Sequence, residues 1–144
     1  MKAKVLDPAS VPTLSFDWGL IKPLMVGDDT AERTVSAVHV VVLPGLGHER
    51  HNHPEADELL YILAGEGEQM LDDDEPFRVR AGDSVVIPKG VWHSTINVGW
   101  EPMSVLAIYA PAGPEELFGE MPGFQSTSPG LPIHLVRAHA EDPR

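Results

Sequence analysis

The 144-residue sequence contains no cysteine. Disulfide bonds, a thiolate nucleophile and every cysteine-built zinc site are therefore excluded. Basic residues are scarce: ten Lys and Arg stand against 22 Asp and Glu, a formal net charge of −12. A surface of that sign repels a phosphate backbone, which argues against nucleic acid as a partner. Long apolar runs are missing too, and none approaches the roughly 18 residues that a membrane helix needs. Membrane insertion is accordingly not expected. Met1–Ser10 carries Lys2 and Lys4 but no apolar segment behind them. No signal peptide is read there, and the cytoplasm is the expected compartment.

Glycine and proline are plentiful instead, with 13 and 14 copies spread along the chain. That distribution marks many turns between short segments rather than a linker. The length favours one domain large enough to bury its own core. The expected division of 1–144 is a core barrel over about 34–110, an N-terminal strand extension over 1–33, and a C-terminal helix and tail over 111–144.

Strand signals dominate. Val35–Leu43 is rich in β-branched residues and stops at Pro44-Gly45. Glu58–Ala64, Gly67–Leu71, Pro76–Arg80, Ser84–Ile87, Val91–Val98 and Met103–Tyr109 follow at short intervals. Trp18–Val26 reads as an earlier strand, with Pro23 marking it as an edge or bent one. Short strands so regularly spaced fit an all-β sandwich or barrel. Only Pro114–Met121 reads as helical, with Pro at its start and Glu115 and Glu116 in its first turn. The last residues, Glu141–Arg144, are expected to fray.

The chemistry is concentrated in histidine, which occurs at positions 39, 48, 51, 53, 93, 134 and 139. His51 and His53 are two apart, so on a strand they share one face and can reach one ion. Glu58 opens the next strand and His93 lies on a more distant one. A closed fold can bring all four together.

The stretch Gly45–x5–His51–x–His53–x4–Glu58–x6–Gly65 resembles the first motif of the cupin superfamily at every defined position. The stretch Gly82–x5–Pro88–x–Gly90–x2–His93–x3–Asn97 resembles its second motif, again without a gap. The 16-residue spacer between Gly65 and Gly82 is short, as in compact microbial cupins. The resemblance implies an all-β jelly-roll (double-stranded β-helix) barrel with a short C-terminal helix. It also implies a metal site of His51, His53, Glu58 and His93, and a homodimer. Imidazoles with one carboxylate suit a single divalent transition ion (Fe, Mn, Ni, Cu, Co or Zn) rather than Mg or Ca. An octahedral ion held by four protein groups keeps two positions free for water, substrate or oxygen, whereas a tetrahedral zinc would be closed and structural.

Strand parity extends the site. If Glu58 faces inward, so do Leu60 and Ile62; if His93 does, so do Thr95 and Asn97. Leu60, Ile62 and Thr95 are thus candidate substrate contacts in a mostly apolar wall, with core packing the competing role for the two aliphatic residues. Asn97 is better placed to satisfy backbone groups at a strand end. His48 competes with His51 as a ligand, but the motif favours His51. His39 lies on a strand as a core or outer-face residue, and Asp72–Glu75 reads as a solvated hairpin turn. Trp92 should face outward, and with Trp18 and Trp100 it could line a sheet contact or a dimer interface.

In layout the chain is similar to the small one-domain relatives of quercetin-type dioxygenases. That resemblance implies an oxidoreductase acting on a small organic substrate, with Glu58 doubling as general base. Two alternatives stay open: a non-redox isomerase, lyase or decarboxylase, and a barrel that binds metal and ligand without turnover.

Overall fold

A computed structural model of the chain describes residues 2–133; His134, His139 and the Glu141–Arg144 end lie outside the described residues. Among the described residues the strands are β1 Thr13–Phe16, β2 Gly19–Met25, β3 Ser36–Val42, β4 Asp57–Ala64, β5 Glu66–Leu71, β6 Phe77–Arg80, β7 Ser84–Ile87, β8 His93–Asn97, β9 Met103–Ala110 and β10 Gln125–Thr127. They form two sheets, ordered β10-β1-β2-β3-β9-β4-β7 and β6-β5-β8.

Alternation explains why these segments pair as they do. In β9, Met103, Val105, Ala107 and Tyr109 are buried while the residues between them are partly exposed. β9 pairs antiparallel with β3, from Val42↔Met103 to Ser36↔Tyr109, and on its other side with β4 through Glu58↔Tyr109. The core collects on the inner face of these central strands, where Val38, Ile62 and Met103 are fully buried. Each such side chain is worth about 1.5–3 kcal/mol relative to exposure.

The smaller sheet is extended by the connection between β3 and β4. Gly45 N–H donates to the Asn97 carbonyl (3.0 Å), Asn97 N–H donates to that of Leu46 (2.9 Å), and His51 and His93 exchange backbone bonds of 3.0 and 2.8 Å. Residues 45–51 therefore run beside β8 as an irregular strand. Gly47 permits the approach, since a Cβ there would stand 2.5 Å from the Thr95 carbonyl oxygen. Asn97 locks the far end: its amide donates to the Val42 and Glu101 carbonyls (2.9 and 2.7 Å) and its oxygen accepts Gly99 N–H (2.8 Å).

The structure makes several expectations more specific. β2 is bent, with a register shift between Pro23 and Met25, but it is not an edge; it lies between β1 and β3. The missing proline N–H is accommodated at the irregularity. β1 and β10 carry no clear sequence signal, because one is four residues long and the other is the polar triplet Gln-Ser-Thr. The expected short C-terminal helix is present as a 3-10 helix over Pro114–Glu120. Glu115 pins it to the barrel, accepting hydrogen bonds from Gly27 N–H (3.0 Å), the Ser36 hydroxyl (2.6 Å) and Gly113 N–H (2.8 Å). Burial opposes the charge on Glu115, but these donors hold the carboxyl below its ordinary range. Among the described residues no helix is long and apolar enough to cross a membrane.

Candidate metal centre

Two of the four candidate ligands come from the sheets. Glu58 is the second residue of β4, between Tyr109 of β9 and Ile87 of β7, and it is 5% exposed. His93 opens β8 and is 2% exposed. The other two come from the β3–β4 connection: His51 in a lone bridge to His93, and His53 in the loop beyond. The pair therefore does not sit on a regular strand, as parity assumed. The two rings nevertheless stand 4.9 Å apart, and one ligand atom from each of His51, His53, Glu58 and His93 lies within 4.8 Å of all the others.

Backbone carbonyls orient the rings. His51 Nδ1 pairs with the Glu49 carbonyl (2.7 Å) and His93 Nδ1 with that of Val91 (2.9 Å). A carbonyl can only accept, so both rings carry their proton on Nδ1 and leave Nε2 as a lone pair. His53 is braced through its main chain, whose carbonyl accepts Gly90 N–H at 2.9 Å. Gly90 has φ +81°, a left-handed conformation that glycine adopts without a side-chain penalty.

The ligand atoms are mutually unsatisfied. Glu58 Oε2 stands 2.8 Å from His93 Nε2 and 3.2 Å from His53 Nε2, yet all three buried atoms lack a hydrogen-bond partner. Buried ligand atoms converging at such distances are satisfied by a shared proton or by a cation between them. The residues present thus fit a transition-metal ion, and their chemistry matches the donor set such ions prefer.

The charges follow the same logic. Burial would raise the Glu58 carboxyl, but the imidazoles of His53 and His93 overcome it and hold it at about 2. Burial would lower His93, and its contact with Glu58 reverses the direction and raises it. His51 lacks that contact, so burial and the neighbouring imidazoles push it down to about 3.

The ligands open into a cavity of about 480 Å³. Leu60 and Thr95 line it, and the Thr95 hydroxyl donates to Gln69 Oε1 at 2.6 Å. Ile62 does not line it. Parity placed Ile62 on the correct face, but it lies one inward step further along β4 and is fully buried in the core.

Three residues outside the expected set belong to the site. Tyr109 packs its ring 5.1 Å from His53, and burial with the nearby Glu58 charge raises its hydroxyl well above the ordinary value. Its only sequence signal is its place on β9, which acquires meaning once the register with Glu58 is known. His48 lies edge-on to His51 with ring centres 3.8 Å apart, and burial drives it down to about 4. Trp18 backs His48 at 5.0 Å and stacks on Phe16 at 5.1 Å. It lines the cavity, while Trp92 and Trp100 are exposed.

Comparison with known proteins agrees with this arrangement. A family model described as "Cupin domain" matches residues 38–109, half of the chain. An uncharacterised protein of Methanocaldococcus jannaschii is 30% identical over 100 residues, covering 69% of this chain and 79% of that protein. The dimethylsulfoniopropionate lyase DddQ of Ruegeria pomeroyi is 43% identical over 60 residues, which are 41% of this chain and 29% of the lyase. The structure of Bacillus subtilis oxalate decarboxylase, reported for its Mn(II) centres, superposes with a TM-score of 0.60 at 25% identity, over 67% of this chain and 26% of that one. The chain thus spans less than a third of the length of either enzyme.

Proposed function

This chain belongs to the cupin domain family, and we propose that it is a metal-dependent enzyme, dioxygenase-like in reaction type, acting on a small organic substrate held in the barrel mouth. The reading is carried by one observation: the unpartnered atoms His53 Nε2, Glu58 Oε2 and His93 Nε2 converge beside a largely apolar cavity. When bound there, a divalent transition ion would supply Lewis acidity and, if it is Fe, Mn, Ni or Cu, access to redox chemistry.

The chain's own residues do the rest. The Nδ1 contacts of His51 and His93 hold those rings in orientation. Glu58, ionised at neutral pH, can take a proton from an acidic O–H or C–H of the substrate. Tyr109 keeps its proton and can steady the carboxylate as a hydrogen-bond donor. The aliphatic wall excludes water, which strengthens each polar contact inside.

A second reading, elimination or decarboxylation without redox, is supported by the likeness to a lyase and a decarboxylase. Elemental analysis of the purified protein, combined with oxygen uptake against flavonols, diketones and catechols, separates the two. Metal-dependent oxygen uptake is the expected result. Turnover without oxygen uptake favours the second reading, and failure to retain stoichiometric metal after reconstitution overturns both.

A further inference from the structure

Gln69 is a buried polar side chain with no part in holding the ion. It is fully buried on β5, opposite Thr95 in the pairing with β8 and two residues from Leu71, which pairs with His93. It does not line the cavity, but Thr95 does, and Thr95 shares a face of β8 with the ligand His93. The two side chains meet at 2.6 Å, with the Thr95 hydroxyl donating to Gln69 Oε1. The amide is oriented from its other end, where Nε2 donates to the Met70 carbonyl at 3.3 Å. Flipped over, it would set its oxygen against that carbonyl oxygen, so Oε1 is the atom that faces Thr95. A threonine hydroxyl owns one proton and two lone pairs. With the proton given to Gln69, Thr95 presents only a lone pair to the cavity. Redirecting the proton would strand a buried acceptor, which disfavours that state by about fivefold to a hundredfold.

We infer that Gln69 is a positioning residue that fixes Thr95 as a hydrogen-bond acceptor toward the exchangeable side of the ion. A molecule bound at the ion beside Thr95 is then favoured when it carries a proton, as water or an alcohol does. An aprotic anion gains nothing there. Same-face neighbours on a strand stand about 6.4–6.8 Å apart, so Thr95 reaches a molecule held beside His93 rather than replacing a ligand. The inference rests on the metal-site reading proposed above and adds to it a residue outside both the ligand set and the cavity.

Azide, an anion without a proton at neutral pH, tests the assignment on cobalt-loaded protein, read by the visible absorption of cobalt. Gln69→Met removes the acceptor at similar volume and frees the Thr95 hydroxyl to turn and donate. Azide affinity should then rise about fivefold or more, as expected for a new hydrogen bond to a charge. In Gln69→Met/Thr95→Val the gain should vanish, leaving affinity within about twofold of Thr95→Val alone. In Gln69→Met/Thr95→Ser, which keeps the hydroxyl, the gain should persist. An equal gain with and without the hydroxyl means that Gln69 acts only through the fold and overturns the inference, as does no gain in Gln69→Met. Thr95→Val by itself keeps Gln69 in place, so it tests the assignment even where the Gln69 variants do not fold. It should weaken azide by no more than about twofold, because the hydroxyl gives the anion nothing. A loss of about fivefold or more shows Thr95 donating and overturns the inference. A protein that takes up no cobalt defeats the metal reading and this inference with it, whereas normal uptake with the wrong azide pattern defeats the inference alone.

Discussion

Glu58 and His93 reach the site from strands, whereas His51 and His53 reach it from an irregular connection. The strand pair is almost wholly buried and forms the 2.8 Å contact between Glu58 Oε2 and His93 Nε2. The loop pair is half-buried and depends on borrowed support, namely the His51–His93 bridge, the Glu49 carbonyl and the turn at Gly90. The sheets thus supply position for half the ligands, and hydrogen bonds across two turns supply it for the others. The two pairs should therefore fail in different ways.

The largest effect should come from the strand pair. Partners outside the ligand shell are already worth about 10–100-fold in metal affinity, so Glu58→Ala should cost more than about 100-fold. Titration of metal-free protein with cobalt or zinc reads it directly. Ile62→Ala, one inward step along the same strand, should cost about 2–5 kcal/mol of stability by opening a core cavity. Its metal affinity should stay within about threefold if the sheet holds Glu58 as rigidly as the pairing implies. A variant that stays folded but loses its metal would show that strand position depends on the core beneath it.

The connection that carries the loop ligands should dominate the pH response of the metal-free protein, through His48 and His51. His51 and the neighbouring His48 are held down to about 3 and about 4, below the ordinary 6.5. Their contribution is complete above about pH 6.5 and is lost as pH falls through the folded values, because the unfolded chain takes up those protons first. His93, raised, works in the opposite sense: its contribution is present below 6.5 and fades as pH rises through its folded value. Two lowered groups outweigh one raised group. Melting temperature should accordingly fall by about 5 °C between pH 7 and pH 5. His48→Gln should flatten that slope, and a melting temperature that rises toward pH 5 would mean that the strand pair governs instead. Glu58, lowered to about 2, adds a further loss below about pH 4.5.

The same contrast explains what could be read from the sequence. The motif glycines are legible because chemistry forces them: Gly65 has φ +88° and a Cβ there would stand 2.9 Å from Met103 Cα. The ligand residue types are legible for a similar reason, since few side chains bind a transition ion. Parity identifies which face Ile62 takes but not how deep it lies, so it leaves wall and core packing both open, and the structure puts Ile62 in the core. Tyr109 carries no such signal, and the places of His48 against His51 and of Trp18 against His48 are not legible either, because they arise from register and ring packing between distant segments. β10 exists through its pairing with β1 and leaves no mark in its own three residues.

The smallest effects should come from the supports of the loop pair, and they grade finely. Gly90 holds the His53 carbonyl through its N–H while keeping a left-handed φ of +81°. Open space surrounds its Cα, so an added methyl group meets nothing and the penalty is conformational, about 1 kcal/mol. Gly90→Ala can relieve that strain only by shifting the turn, which drags the His53 carbonyl with it. Metal affinity should drop about tenfold while His93, on its strand, keeps its environment. Asn52 touches the same turn from outside, through a 3.3 Å bond to the Gly90 carbonyl. Water can replace that bond, so Asn52→Ala should cost no more than about twofold in affinity. Proton NMR of the imidazoles during cobalt titration distinguishes the outcomes, since paramagnetic shifts report each ring separately. A perturbation confined to His53 in Gly90→Ala keeps the two pairs independent, whereas equal shifts at His53 and His93 would make the four ligands one mechanical unit.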